Sequence, residues 1–467
     1  MRRLVRAIRA PSAAIAALAL LSALAPALGA QAPAADNPWA RLPAILSRIV
    51  APQFPARDFA VTKFGAKGDG LKDASAAFRK AIEACQKAGG GRVVVPAGTF
   101  LTGPIRLRSH VNLHLEKGAV VRFLTDSALY LPPVLTRWEG IELMGYSPLV
   151  YALEEESIAV TGEGTLDGGA GPEHWWRWKG KGPESQKADR DRLLRMAEDG
   201  VPVSERVFGE GSRLRPPFIE PYRCRNVLIE GVTITNAPFW VIHPVLSQNV
   251  TVRNVKVVSH GPNNDGCDPE SSSDVLIEDS LFDTGDDCIA LKSGRNADGR
   301  RLATPVERVV VRRCTMKAGH GGVTIGSEIS GGARDVFVET CEMSSPDLER
   351  GLRIKTNAMR GGIVENVFVR DVTIGEVGNA IDIDMLYEEG ANGTFPPTVR
   401  NVRVERMTVG KAVHALFLRA LDGAPLRGIA VSDSAFGSVA KGNRIEGTVD
   451  LDLRNVTLRP SPAPPGK

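Results

Sequence analysis

The chain is predicted to fold as an all-β protein, a single-stranded parallel β-helix with a short N-terminal capping helix. Three observations carry this reading. A nine-residue pattern, Asn/Asp/Arg-Val-x-Val/Ile-x-x-small-x-apolar, recurs from Asn226, Asn249, Asp274, Arg308, Asp335, Asn366, Asn401 and, in weaker form, Gly428. Each unit alternates with period two and is too short to bury its apolar face alone, so the units must stack. Their starts lie 23 to 35 residues apart, a variability that a coil tolerates because insertions leave at its corners. Leucine-rich, propeller and helical repeats have other signatures, which do not occur here.

Taken in order, the first 30 residues carry Arg2, Arg3, Arg6 and Arg9 and no acid, then an apolar run at 14–21 and short side chains at Ala25, Ala27, Gly29 and Ala30. Residues 1–32 are expected to be a secretory signal with its cleavage region, since the apolar run is too short to span a membrane. The mature protein is then periplasmic or extracellular. Residues 33–57 are a Pro/Ala-rich leader, 58–460 the β-helix and 461–467 a flexible tail. Without the four arginines the formal charge of +4 falls to about zero, which argues against a nucleic-acid partner. Six cysteines in 467 residues are too few for a disulfide scaffold.

Asp73, followed by Ala76, Ala77, Ile82 and Ala84 at helical spacing, predicts a helix near 73–88 that ends at Gly89-Gly90-Gly91. This helix would cover the open end of the core, where bare strand edges would otherwise be exposed. The glycine tract lacks the Gly-Lys-Ser/Thr ending of a phosphate loop. Strands are expected at 92–95, 111–115 and 119–123. In the repeats, the seventh place holds Val232, Val255, Ser280, Cys314, Cys341, Val372, Met407 and Ser434, which should stack inside the coil. Cys314 and Cys341 are thus expected as adjacent core residues, and Cys288 as core-facing. Trp175, Trp176 and Trp178 fit a buried corner cluster as well as a sugar platform. The charged insertion 179–213 has no apolar periodicity and leaves the coil as a loop or as a wall of the groove.

The densest acidic chemistry lies in 263–294. Asp265 and Asp287 occupy matching places on successive turns, with Asp286 beside them, so their carboxylates should stack at roughly 4.8 Å. Two like charges about 5 Å apart at an effective dielectric near 20 cost roughly 3 kcal/mol, or about two pKa units. One proton should therefore be retained, as general acid/base cleavage of a glycosidic bond requires. Spacing alone leaves a calcium site or a solvated acidic turn open. Aligning the following segments turns Ile289, Val323 and Leu352 inward and sets Ala290, Thr324 and Arg353, with Lys292, Gly326 and Lys355, on one outer face. His320 falls in register with Asp286. The face reads as a groove for an anionic polymer, although strict alternation would turn Asp287 inward.

At these residues the chain resembles the polygalacturonase family of glycoside hydrolases. The motifs are Asn263-Asn264-Asp265, Gly285-Asp286-Asp287, Gly319-His320-Gly321 and Arg353-Ile354-Lys355, in the family's order, and similarity covers most of residues 58–410. The resemblance implies a right-handed β-helix and inverting hydrolysis of α-1,4-galacturonide links, with Asp286 as general acid and the holder of the retained proton. Asp265 and Asp287 would hold the attacking water and His320 would support the acid. Arg353, Lys355, Tyr387 and Asn263 would bind substrate, with the two cations on a galacturonate carboxylate. Asn264 stands where the family commonly has threonine. No cofactor or metal is implied, and the partner is a pectic polysaccharide or oligogalacturonide bound by a monomer, with no nucleic acid or membrane. Cleavage from a chain end is expected from the insertion and from the loop at 388–394. A calcium-using lyase and a non-catalytic polysaccharide binder on the same fold are the alternatives.

Overall fold

The computed structural model describes residues 37–461; the expected signal at 1–32 and nearly all of the tail lie outside the described residues. Parallel strands wind into a coil with three faces. The first face runs from Asp58–Ala60 through Gly91–Val95 and Val111–Leu115 to Val449–Pro460. On it the second place of the repeat forms one column, Val227, Val250, Val275, Val309, Val336, Val367 and Val402. A third face stacks Ile219, Ile242, Cys267, Ile289, Val323, Leu352, Ile381 and Leu416 in register. That order is the one expected from aligning the segments after the acidic turns.

Each nine-residue unit proves to be two strands joined by a corner, for example Arg225–Glu230 and Thr233–Thr235. The first and sixth places are left-handed, as at Asn226 (φ 59°) and Gly231 (φ 80°), Asn249 (56°) and Asn254 (53°), and Asp274 (56°) and Asp279 (52°). Asn, Asp and Gly enter that region most readily, which explains the first letter of the pattern. The first-place side chains then bond along the stack, Asn249 Nδ2 to Asn226 Oδ1 at 2.7 Å and Asn401 Nδ2 to Asn366 Oδ1 at 2.7 Å. All eight seventh-place residues are buried, and Cys314, Cys341 and Cys288 are buried free thiols.

The helix Ser75–Lys87 lays Ala77, Phe78, Ala81, Ile82 and Cys85 onto the first coil and stops where Gly89 and Gly90 turn left-handed. Asp73 accepts from the Ser75 backbone N–H at 2.8 Å. Within the leader, Trp39, Leu42 and Ile45 form a docked strap, buried against the outward-facing Leu276, Val310, Phe337 and Phe368 of the first face. The insertion 179–213 is no bare loop; it contains the helix Lys187–Glu198, whose Leu193 and Ala197 pack on Trp138, Leu143, Phe208 and Trp240. With Leu194 and Met196 packed only partly buried beside them, the apolar face is too short to register as a period. Beside it, Val134–Trp138 and Ile141–Gly145 form an antiparallel hairpin outside the coil. Trp175 and Trp178 are buried with Tyr146, while Trp176 donates to the Ala237 carbonyl at 2.8 Å.

Candidate active site

The acidic turns bring Asp265, Asp286 and Asp287 together, with one oxygen of each within 4.8 Å of the others. Asp287 faces the groove because the alternation slips at the turn: Cys288 and Ile289 both point into the core. Its carboxylate accepts from Thr324 Oγ1 at 2.9 Å, Arg353 Nη1 at 3.2 Å and Lys355 Nζ at 2.7 Å. The cations lie two coils away by backbone register, a separation of roughly 10 Å, and their long side chains close that gap to direct contact.

The motif glycines are required by this crowding. A Cβ on Gly321 would lie 2.2 Å from Thr324 Oγ1 and 2.8 Å from Asp287 Oδ1, and one on Gly285 would lie 2.4 Å from the Gly261 carbonyl. Between Gly319 and Gly321, His320 is half exposed and its Nδ1 meets Asp286 Oδ1 at 2.9 Å. The Asp287 backbone N–H donates to the same Asp286 oxygen at 3.0 Å. Asn264 is a pin for the turn, with its amide donating to the Ala237 and Phe239 carbonyls and its oxygen accepting from Ser259 and Gly261. Asn263 faces inward in part: its Oδ1 accepts from the buried Arg215 at 2.8 Å, which holds the turn in place. The Tyr387 ring lies 5.2 Å from both the Arg353 guanidinium and the Lys355 ammonium.

Electrostatics distribute the protons unevenly. Burial and the neighbouring Asp286 push Asp265 up to about 7. Burial opposes ionisation of Asp287 too, but Lys355 and Arg353 outweigh it and hold that carboxyl well below its usual range. Asp286 is also lowered: burial pushes it up, but the hydrogen bond and charge of His320 together with the Lys355 charge more than offset this, and the bond raises His320 in return. Burial thus favours the neutral form at Asp265, whereas the His320 hydrogen bond favours the ionised form at Asp286. The physical reason is that Asp286 alone has a histidine partner at the groove mouth.

Several site residues escaped the sequence reading. Asp268 is fully buried beside Asp265, and Lys292 sits 3.5 Å from Asp265 and 3.3 Å from Glu328. Arg295 joins Glu328 (3.3 Å), Glu139 of the hairpin (3.2 Å) and Glu389 (3.4 Å), while Arg190 of the inserted helix also grips Glu139 at 2.8 Å. The outward column did contain Lys292, and Asp268 stands in the same turn as Asp265. Glu139, Glu328 and Arg295 left no signal, since nothing in the repeat places the hairpin or the corner loops.

Comparison with known proteins agrees with this geometry. The profile of Glycosyl hydrolases family 28 matches residues 206–445, and that of Rhamnogalacturonase A/epimerase, pectate lyase-like, matches 59–114. A probable polygalacturonase of Vitis vinifera is 28% identical over 88% of this chain and 80% of its own length. An exo-poly-alpha-D-galacturonosidase of Dickeya chrysanthemi is 28% identical over 74% of this chain and 62% of its own. Among solved structures, a hyperthermoactive exopolygalacturonase from Thermotoga maritima superposes with a TM-score of 0.83 at 45% identity, covering 88% of this chain and 95% of that one. On the matched motif region, the coil and the carboxylate cluster together, this chain belongs to family 28 of the glycosyl hydrolases and is a glycoside hydrolase.

Proposed function

We propose that this protein is a secreted polygalacturonase that hydrolyses α-1,4-galacturonide links with inversion, working inward from a chain end as a monomer. The observation that carries the reading is the carboxylate cluster facing Arg353 and Lys355, in a chain 45% identical to an exopolygalacturonase. Arg353 offers a fork that suits a carboxylate and Lys355 a compact charge, so a uronate is preferred over a neutral sugar.

Asp286, at the groove mouth, gives its proton to the leaving glycosidic oxygen as the C1–O bond breaks. Water held by Asp265 and Asp287 forms the new C1–O bond, and its proton passes to Asp265. Of these two, Asp265 is the stronger base, since Asp287 is neutralised by two cations. Asp265 then releases that proton to solvent, and solvent returns one to Asp286. The raised Asp265 and lowered Asp286 favour a second assignment, with Asp265 as acid and the Asp286–His320 pair as base. An aryl galacturonide with an activated leaving group separates them, because losing the general acid is masked there and losing the base is not. The second assignment holds if the aryl substrate rescues Asp265→Asn and not Asp286→Asn.

The close spacing of the carboxylates is that of a retaining pair; inversion is inferred from the family resemblance and is read directly from the anomer first formed. End-on action is supported by the wall over Lys292, where the inserted helix, the hairpin and the 388–394 loop converge through Arg190, Glu139, Glu389 and Arg295. Secretion is supported by the arginine-then-apolar start of the chain. Among the described residues no helix is long and apolar enough to cross a membrane. Incubation with polygalacturonate and a chelator tests the whole reading. Reducing sugar without an ultraviolet-absorbing product means hydrolysis, an unsaturated product means a lyase, and neither means a binder. Monomer or dimer as the first product means end-on cleavage; a rapid fall in viscosity with mixed oligomers overturns it.

A further inference from the structure

Two groups in the floor of the site take no part in the chemistry above. Asp268 is fully buried, and neither of its carboxyl oxygens meets a hydrogen-bond donor; Asp265 Oδ1 is likewise buried and unpartnered. Lys292 Nζ lies 3.5 Å from Asp265 Oδ2, 3.7 Å from Asp268 Oδ1 and 3.3 Å from Glu328 Oε2, with the Trp240 ring 4.3 Å away. One ammonium therefore faces three acids. Other charges do not relieve Asp268. By register His243 stands one coil below it, but both ring nitrogens are taken, by Glu220 at 3.1 Å and Glu270 at 2.8 Å. Above it lies Ala290, and the remaining charges facing it, Asp286 and Asp287, are negative.

An ionised carboxylate with no donor in a buried pocket is costly, whereas a neutral carboxyl brings a donor of its own. The neighbouring acid Asp265 carries an unfilled acceptor, its Oδ1. We propose that Asp268 is a positioning residue that keeps its proton and donates it as a hydrogen bond to Asp265, while Lys292 holds the opposite oxygen of Asp265. The base is thereby aimed and kept ionised without a further negative charge in the floor. Burial and the neighbouring Asp265 do push Asp268 well above the usual carboxylate range. The inference rests on Asp265 being the base.

The test compares Asp268→Asn, which keeps a neutral donor, with Asp268→Ala, which does not, and adds Lys292→Met. Asp268→Ala and Lys292→Met should lower kcat on polygalacturonate by about 10- to 100-fold, with KM changed less than about twofold. Both should also move the acid limb of the kcat profile to higher pH, and Asp268→Asn should restore most of the loss and the original limb. Equal damage from Asn and Ala, or a limb that stays in place in all three variants, overturns the proposal.

A second measurement does not use activity. A carboxyl whose folded pKa is raised lowers stability as pH climbs above the unfolded value of about 3.9. Melting of the parent should thus carry a downward slope above about pH 4 that is shallower in Asp268→Asn, where Asp265 still contributes. An unchanged slope in folded Asp268→Asn overturns the proposal. A parent that fails to hydrolyse polygalacturonate while showing this slope difference would sink the functional reading and leave the protonated Asp268 in place.

Discussion

Replacing Lys355 with methionine should cost stability as well as substrate affinity. Its ammonium lies 2.7 Å from Asp287 Oδ2, and both side chains are almost wholly buried. Breaking a buried pair by removing one partner costs roughly 3 to 5 kcal/mol, because a buried charge is left behind. Here Asp287 keeps Arg353 at 3.2 Å and the Thr324 hydroxyl at 2.9 Å, so the lower end, about 3 kcal/mol, is expected at pH 7. The pH dependence has a definite sign. Lys355 is raised in the folded protein, since burial lowers it but the attractions to it, that of Asp287 foremost, together more than offset this, so its contribution is complete below the unfolded value of about 10.4 and is lost above the folded one. Asp287 is lowered, so its contribution is complete above an unfolded value of about 3.9 and is lost as pH falls further. The penalty should be full from about pH 5 to 10 and shrink progressively below about pH 4. Urea denaturation of parent and variant at pH 7 and pH 3 measures it, with KM on unesterified and methyl-esterified galacturonan measured alongside. The unesterified substrate should lose roughly 1.5 to 3 kcal/mol of binding and the ester less. A variant as stable as the parent at pH 7 would refute the buried-pair argument, and equal losses on both substrates would show that the lysine serves Asp287 alone.

Gly321→Ala should fold and yet lose about 100-fold in kcat, since its methyl displaces Asp287 and Thr324; turnover within threefold of the parent would contradict the crowding. His320→Gln removes the bond that lowers Asp286, so Asp286 should titrate higher and the pH profile of kcat should move with it, with turnover falling at least about tenfold. An unmoved profile would mean that His320 does not govern the acid. Trp39→Ala empties the contact with Phe337, whose ring centroid lies 5.4 Å away. It should cost about 3 kcal/mol or free the strap to proteolysis while activity is kept; an unaltered urea midpoint and protease resistance would show that the strap does not stabilise the coil.

The amino-acid pattern by itself determined the coil and its register. Stacked parallel strands force residues at equal places in the repeat into columns, so the buried seventh-place stack from Val232 to Ser434 and the order Cys267, Ile289, Val323, Leu352 could be written down from the letters alone. The same logic brought Asp265 beside Asp287 and put Arg353 and Lys355 on their face. Tertiary structure decided whatever depended on side-chain reach and on segments outside the repeat. Periodicity places Cα atoms and does not say that Lys355 crosses two coils to Asp287, that Asn263 turns to Arg215, or that alternation slips at Cys288 and Ile289. Which carboxyl keeps the proton was beyond the sequence for a related reason. Clustering requires that one be retained, but the site is chosen by the burial and partners of each acid, and these come from His320, Lys292 and Lys355 folded around them. The strap at Trp39 and the helix Lys187–Glu198 dock through a few apolar contacts made far away in sequence, and only the assembled surface they dock on gives those contacts meaning.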